Sequence, residues 1–405
     1  MKKLLIIFIL FLFGEKSAGQ EGWIRQNQNA AFTDLHSIYL GAVTAWAAGD
    51  NGTVIRSTDQ GTNWSLLNTN IQRDLKCICF KGNTGWVSGT NGLIMKTTDG
   101  GDSWAEQSAG THALLYSIHF TTDDIGWTVG SAGTIRKTID GGVNWSSQQS
   151  NMTFDYYNVF FINNNCGWAV GDYGIIFSTT DGGERWMKQF TPVDQPLFSV
   201  CFVDANNGWA AGAKGTVIKT TNGGLNWVVQ SGVPTINLYS VSFFDRNTGW
   251  VTGETGSIYK TVNGGTTWVK QSNPINNTLY SVKAASADLG MIAGSLGVVL
   301  KTTNGGAVPV DISDSGFPAE YSLSQNYPNP FNPTTTINYK IRTPGIVRLK
   351  VHDFLGREIA SLVDEEKSAG SYNVNFNASN LASGIYFYQL KTPGYTGIKK
   401  MVLIK

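Results

Sequence analysis

The segment KTTDGGDSW at residues 96–104 returns, with small changes, every 40 or 41 residues along most of the chain. A period of that length means a repeat architecture, in which one supersecondary unit cannot bury its apolar face alone and must stack on copies of itself. Within the segment, Asp99 can fold its carboxylate onto nearby backbone N–H groups. Gly100 and Gly101 tolerate positive φ, and the Thr97 hydroxyl offers a weaker bond of the same kind. Trp104 follows at a fixed offset, so the turn delivers a large flat side chain to the start of the next strand.

The tryptophans fall in two columns. One closes the turn, at Trp64, Trp104, Trp145, Trp186, Trp227 and Trp268; the other precedes it, at Trp46, Trp86, Trp127, Trp168, Trp209 and Trp250. With Trp23 these account for all 13 tryptophans, leaving none for an independent site. Each unit reads as four short strands, as in LYSVSF, GWVTG, SIYKT and WVKQ between residues 238 and 271. Period-2 alternation predicts Tyr239, Val241 and Phe243 on one face of the first strand, with Ser240 and Ser242 on the other. Four strands in a unit of this size make a propeller blade. First strands begin at Leu35, Leu75, Leu115, Tyr156, Leu197, Leu238 and Leu279, which defines seven blades. The seventh gives AVPV at residues 307–310 where its tryptophan strand is due, whereas Trp23 lies 41 residues before Trp64, in register with the closing column. Trp23 and its strand are therefore expected to complete the last blade and close the ring, removing an exposed edge.

Composition agrees with many short strands joined by tight turns: 47 glycines, 12 % aromatic and only 15 % charged residues. A net charge of +1 with no basic block gives no reason to expect nucleic acid. Lys2, Lys3, the apolar run 4–13 and the small polar stretch 14–20 have the layout of a secretory signal peptide, assigned to residues 1–19. The run is too short for a permanent span, and no membrane span is expected after its removal. Cys77 and Cys79 sit two apart on one strand and read as buried filler. A Cys166–Cys201 disulfide between adjacent strands stays open. His36, His112, His119 and His352 lack metal-ligand spacing, so neither metal nor cofactor is expected.

The turn fits the Asp-box pattern, Ser/Thr-x-Asp-x-Gly-x-x-Trp. The longer repeat GW..G..G.I.KT.DGG..W resembles the photosystem II stability and assembly factor family of seven-bladed propellers over about residues 21–306. Asp boxes also occur in sialidases and some xyloglucanases, where they lie away from the catalytic face. The box carboxylates are Asp59, Asp99, Asp140 and Asp181, and Asn222, Asn263 and Asn304 replace them in the last three units. Asn makes the same turn but cannot act as an acid or base, so the boxes are read as structural. Residues 317–405 resemble the C-terminal sorting domain of type IX secretion cargo, carrying NYPNPFNPTT, DFLGREIASL, LASGIYFY and KKMVLIK in family order. That resemblance implies a β-sandwich that engages the secretion machinery and brings the cargo to the cell surface or beyond.

The expected fold is thus all-β: a seven-bladed propeller over residues 20–306, a linker over 307–318, and a small Ig-like sandwich over 319–405. Candidate chemistry lies opposite the boxes. The turns between second and third strands carry Asp50, Asp172 and Glu254, read as solvated turn residues, with a cation site or glycosidase carboxylates as the alternative. Tyr116, Tyr157, Phe198, Tyr239 and Tyr280 form an aromatic column, read as blade-to-blade packing, with a binding ring as the alternative. No arginine triad of the sialidase kind is apparent. The expectation is a secreted or surface monomer, a non-catalytic module for an unidentified protein or glycan, with an Asp-box glycoside hydrolase as runner-up.

Overall fold

The computed structural model describes residues 22–26, 31–306, 321–343, 345–368 and 370–405. The signal peptide and the linker lie outside the described residues. The chain divides into two compact units, residues 1–309 and 310–405.

Among its described residues the first unit holds seven four-stranded antiparallel sheets. Their inner strands are Leu35–Leu40, Leu75–Lys81, Leu115–Phe120, Tyr156–Phe161, Leu197–Phe202, Leu238–Phe243 and Leu279–Ala284. In the last sheet the fourth strand is Ile24–Arg25, paired as Ile24↔Lys301 and Arg25↔Leu300. Trp23 is buried beside it, and its indole N–H donates to Gln271 Oε1 at 2.7 Å. The end of the repeat is therefore completed by its beginning, as the register of Trp23 predicts.

The two tryptophan columns meet across blade boundaries. Trp46, Trp86, Trp127, Trp168 and Trp209 each stack face to face on the inner-strand Phe of the next blade, with centroids 3.5–3.8 Å apart. The same Phe receives the closing Trp of its own blade edge-on at 5.8–6.1 Å. Closing tryptophans thus do not stack on one another; a phenylalanine mediates between the columns. Such pairs add about 0.5–1.5 kcal/mol each beyond area burial. The pattern stops at the seam, where Ala284 and Leu40 replace Phe, Met291 replaces Trp, and Trp23 packs edge-on against Trp250 at 6.2 Å.

The alternation expected of Tyr239, Val241 and Phe243 is broken. Every inner strand carries a register shift after its first residue, as between Leu238 and Ser240. Leu238, Val241 and Phe243 enter the blade core, while Tyr239 leaves that face and lines the axial cavity. A bulge inserts one unpaired residue and re-aims its side chain. All four cysteines are free, which answers the question of a Cys166–Cys201 disulfide.

The second unit is two packed sheets. One comprises Ser322–Leu323, Thr334–Ile341 and Gly370–Asn377; the other comprises Glu358–Lys367, Gly345–His352, Gly384–Thr392 and Tyr395–Leu403. Ile337, Tyr339, Leu349, Val351, Tyr388, Leu390 and Met401 fill the core between them. The YPNPF segment straps the final strand: Val402 N–H donates to Asn329 Oδ1 at 2.9 Å, and Phe331 exchanges main-chain bonds with Val402 and Ile404.

Candidate functional site: the mouth of the axial channel

Antiparallel order places the Asp boxes at one end of the propeller and the turns between second and third strands at the other. In box 99 the Thr97 hydroxyl donates to Asp99 Oδ1 at 2.7 Å, Asp99 accepts Ser103 N–H at 2.9 Å, and Thr97 Oγ1 accepts Gly101 N–H at 2.9 Å. Asp59, Asp140 and Asp181 repeat the scheme. Asn222 and Asn263 keep the bond to the backbone N–H four residues on, and Asn304 keeps the hydroxyl bond. Hydrogen bonds to the ionised form hold the four carboxyls below the ordinary 3.8: from Asn63 N–H first in Asp59, the Ser103 hydroxyl in Asp99, Asn144 N–H in Asp140 and Arg185 N–H in Asp181. The boxes also bind the preceding blade. Trp46, Trp86, Trp127, Trp168 and Trp209 donate their indole N–H to box glycine carbonyls of the next blade at 2.9–3.1 Å. The hydroxyl at the start of each box and the Asp or Asn two residues on are engaged in the turn itself.

The opposite end surrounds a cavity of about 380 Å³ on the propeller axis, lined by all seven inner strands. The bulged residue of each strand forms its rim: His36, Lys76, Tyr116, Tyr157, Phe198, Tyr239 and Tyr280. The rings touch in sequence from Tyr116 round to His36, and Lys76 Nζ lies 2.9 Å from His36 Nε2. Centroid separations are 5.0 Å for Tyr116–Tyr157, 5.4 Å for Tyr157–Phe198 and 5.5 Å for Phe198–Tyr239. They are 5.5 Å for Tyr239–Tyr280 and 5.1 Å for Tyr280–His36. The column thus packs blade to blade and also rings a cavity, so its two readings are compatible. A closed ring of seven at this spacing has a radius of about 6 Å, leaving a bore of roughly 8 Å after van der Waals thickness is removed.

The three turn acids converge on this ring. Asp50 Oδ1 lies 2.7 Å from His36 Nε2 and 3.1 Å from Lys76 Nζ; Tyr157 donates to Asp172 at 2.8 Å; Tyr239 donates to Glu254 at 3.3 Å. They are ring partners rather than merely solvated turn residues. Two further acids join them, since Tyr280 donates to Asp34 at 3.0 Å and Tyr116 to Asp155 at 3.3 Å. The other oxygens of Asp34 and Asp155 accept backbone N–H from Leu296 and Ala132, at 3.0 and 2.9 Å. Each therefore also staples a neighbouring blade. The aromatic pattern alone hides His36 and Lys76; their place one residue after Leu35 and Leu75, in the same column, is the signal that identifies them.

Electrostatics follow from this packing. Partial burial alone raises the Asp50 carboxyl, but hydrogen bonds from His36 and Lys76 outweigh it and hold the group below the usual range. Burial, reinforced by Asp155, pushes the Tyr116 phenol to about 12. Burial also raises Tyr157, Tyr239 and Tyr280, with Asp172, Glu254 and Asp34 adding to it. These phenols remain protonated hydrogen-bond donors at neutral pH. At the far end the cavity is lined by Lys81, Lys283 and His119. Burial, with both lysines, depresses His119 to about 3, so it stays neutral.

Comparison with known proteins agrees with this architecture. Residues 23–109, 103–191 and 231–315 match the family model described as photosynthesis system II assembly factor YCF48. Residues 325–405 match the secretion system C-terminal sorting domain. No curated protein matches the chain by sequence. Among solved structures, YCF48 from Cyanidioschyzon merolae superposes with a TM-score of 0.60 at 20 % identity, covering 69 % of this chain and 98 % of that one. YCF48 bound to D1 peptide gives 0.61 at 19 %, covering 71 % and 96 %. PorZ, a surface component of the type IX secretion system of Porphyromonas gingivalis, gives 0.54 at 14 %, covering 92 % of this chain and 60 % of that one. The sorting domain marks the chain for the type IX machinery and for the cell surface or exterior. By the extent of these matches, the chain belongs to the YCF48 photosystem II assembly factor family of propellers, here followed by a type IX secretion sorting domain.

Proposed function

We propose that this secreted propeller is a non-catalytic binding module, acting as a monomer, that takes a protein or polysaccharide ligand at the mouth of its axial channel. The observation that carries the reading is the ring itself: seven side chains, one from each blade, surrounding a cavity and braced by carboxylates. Concave, largely preformed sites with aromatic walls and a few placed polar groups are where ligands bind. The solved YCF48 structure that holds a peptide lends support to a peptide as ligand. A glycoside hydrolase needs a carboxyl group kept protonated, or a tyrosine that ionises readily. Hydrogen bonds hold Asp50 ionised, which runs against Asp50 as the general acid, and burial keeps the Tyr116 phenol protonated, which runs against Tyr116 as the nucleophile.

The test is a peptide and glycan array probed with the full chain and with a Tyr157→Ala/Tyr239→Ala variant. At least one ligand class is expected on the wild type and lost from the variant. Turnover of sialosides or xyloglucan oligosaccharides that disappears in Asp50→Asn, Asp172→Asn or Glu254→Gln would overturn the non-catalytic reading.

A further inference from the structure

Resting on the mouth as a binding site, we propose that its ligand is a lysine or arginine side chain carried on an extended segment of a partner protein. Size excludes the larger alternatives. A bore of roughly 8 Å is narrower than an α-helix with its side chains, about 10–12 Å across. One extended chain or one long side chain fits.

Chemistry then selects the charge. Five of the seven rim positions are aromatic, and the ring faces of Tyr and Phe attract a cation within about 6 Å. Among the described residues no carboxylate lines the cavity itself; Asp34, Asp50, Asp74, Asp155, Asp172 and Glu254 stand behind the rim side chains at the mouth, where they outnumber Lys76 and His36. The carboxylates are fixed in advance. Besides the staples at Asp34 and Asp155, Asp74 accepts Asn51 N–H at 3.1 Å, and Asn237 holds Glu254 at 2.8 Å. A preorganised negative field costs no rearrangement when a cation arrives.

The chain carries an example of the carboxylate half of this interaction. Lys76 places its ammonium 3.1 Å from Asp50 and 3.7 Å from Asp74, half-buried in one sector of the rim. Aromatic sectors occupy most of the remaining circle. The opposite end sets the direction of entry, because Lys81 and Lys283 line it and neither forms an ion pair among the described residues. A cation entering at the mouth is attracted by the rim and repelled from deeper passage. It stays at the tyrosines.

Calorimetric titration of the full chain with blocked pentapeptides, Gly-Gly-Arg-Gly-Gly and its Lys and Gln counterparts, tests this, alongside a neutral xyloglucan oligosaccharide and sialyllactose. Binding is expected for the Arg and Lys peptides, weakening as salt rises, and none for the Gln peptide. Tyr157→Leu keeps every carboxylate and is expected to weaken the Arg peptide roughly tenfold, as is the Asp172→Asn/Glu254→Gln pair, with unchanged melting temperatures. If Tyr157→Leu melts early, Tyr239→Leu serves the same comparison. A neutral glycan bound at the mouth while the Arg peptide is not would overturn the cationic class and leave the binding module standing. Arg-peptide binding untouched by every mouth variant would overturn both. Silence toward all five probes overturns the present inference, and the array decides the broader one.

Discussion

At the Asp-box end of the propeller, Ser57, Thr97, Thr138, Thr179, Thr220, Thr261 and Thr302 hold equivalent hydrogen bonds in all seven units. At the mouth, the position that faces the axis is His, Lys, Tyr, Tyr, Phe, Tyr and Tyr in turn. Both ends are built from one repeat under one rotational constraint. The difference lies in what each position contacts. A box touches its own blade and the next, so every copy solves the same packing problem. A rim residue touches neighbouring rim residues, the open axis and, in every blade but that of Phe198, a carboxylate whose source varies around the ring, and the axis places no common demand on it. Uniformity at the boxes therefore reports shared geometry, and variety at the rim reports the absence of a shared packing demand.

Substitutions can break or sharpen this contrast. The largest effect is expected at Trp23, because Ile24 and Arg25 of the closing strand are both exposed and contribute little else to hold it. Trp23→Ala should cost at least the roughly 3–5 kcal/mol typical of a deleted buried aromatic and open the ring, read as a lower melting temperature and faster proteolysis. An unchanged melting temperature would show that the seam is held by other contacts. Trp127→Ala, within an intact Trp–Phe–Trp contact and carrying the bond to Gly182, should cost about 3–5 kcal/mol without opening the ring.

A smaller effect comes from pH. In boxes one to four the folded state holds the carboxyls below their ordinary value of 3.8. Their contribution is complete above that value and is lost as pH falls through the depressed folded-state values. Asn222, Asn263 and Asn304 do not titrate. Replacing Asp59, Asp99, Asp140 and Asp181 together by Asn should therefore flatten the loss of stability below about pH 4, leaving the fold intact, as followed by acid titration of tryptophan fluorescence. An equally steep acid transition in that variant would place the acid sensitivity elsewhere.

The smallest effect is expected at the mouth. Tyr157→Phe keeps the ring contact, removes only the bond to the half-buried Asp172, and should shift stability by no more than about 1 kcal/mol in denaturant. A loss as large as that of Trp127→Ala would mean that the rim is framework and would collapse the distinction between the two ends.

Much of this is readable from the chain alone. The period, the paired tryptophan columns and the position of Trp23 dictate a closed seven-bladed ring, because a four-stranded unit with apolar faces has no stable arrangement except against copies of itself. The Asp box is equally legible, since its bonds span at most four residues. The sandwich of the sorting segment is implied by the resemblance that its motifs carry, NYPNPFNPTT to KKMVLIK. The site is another matter. Alternation places Tyr239 with Val241 and Phe243, and only the bulge after Leu238 turns it to the axis. Convergence of Tyr280 on Asp34, 246 residues away, and of Asp172 and Glu254 on a common ring, exists only once the circle is closed. Sequence determines short-range geometry because its causes lie within a few residues. The rim was decided by tertiary structure, because a register shift and ring closure bring together groups that no local pattern relates.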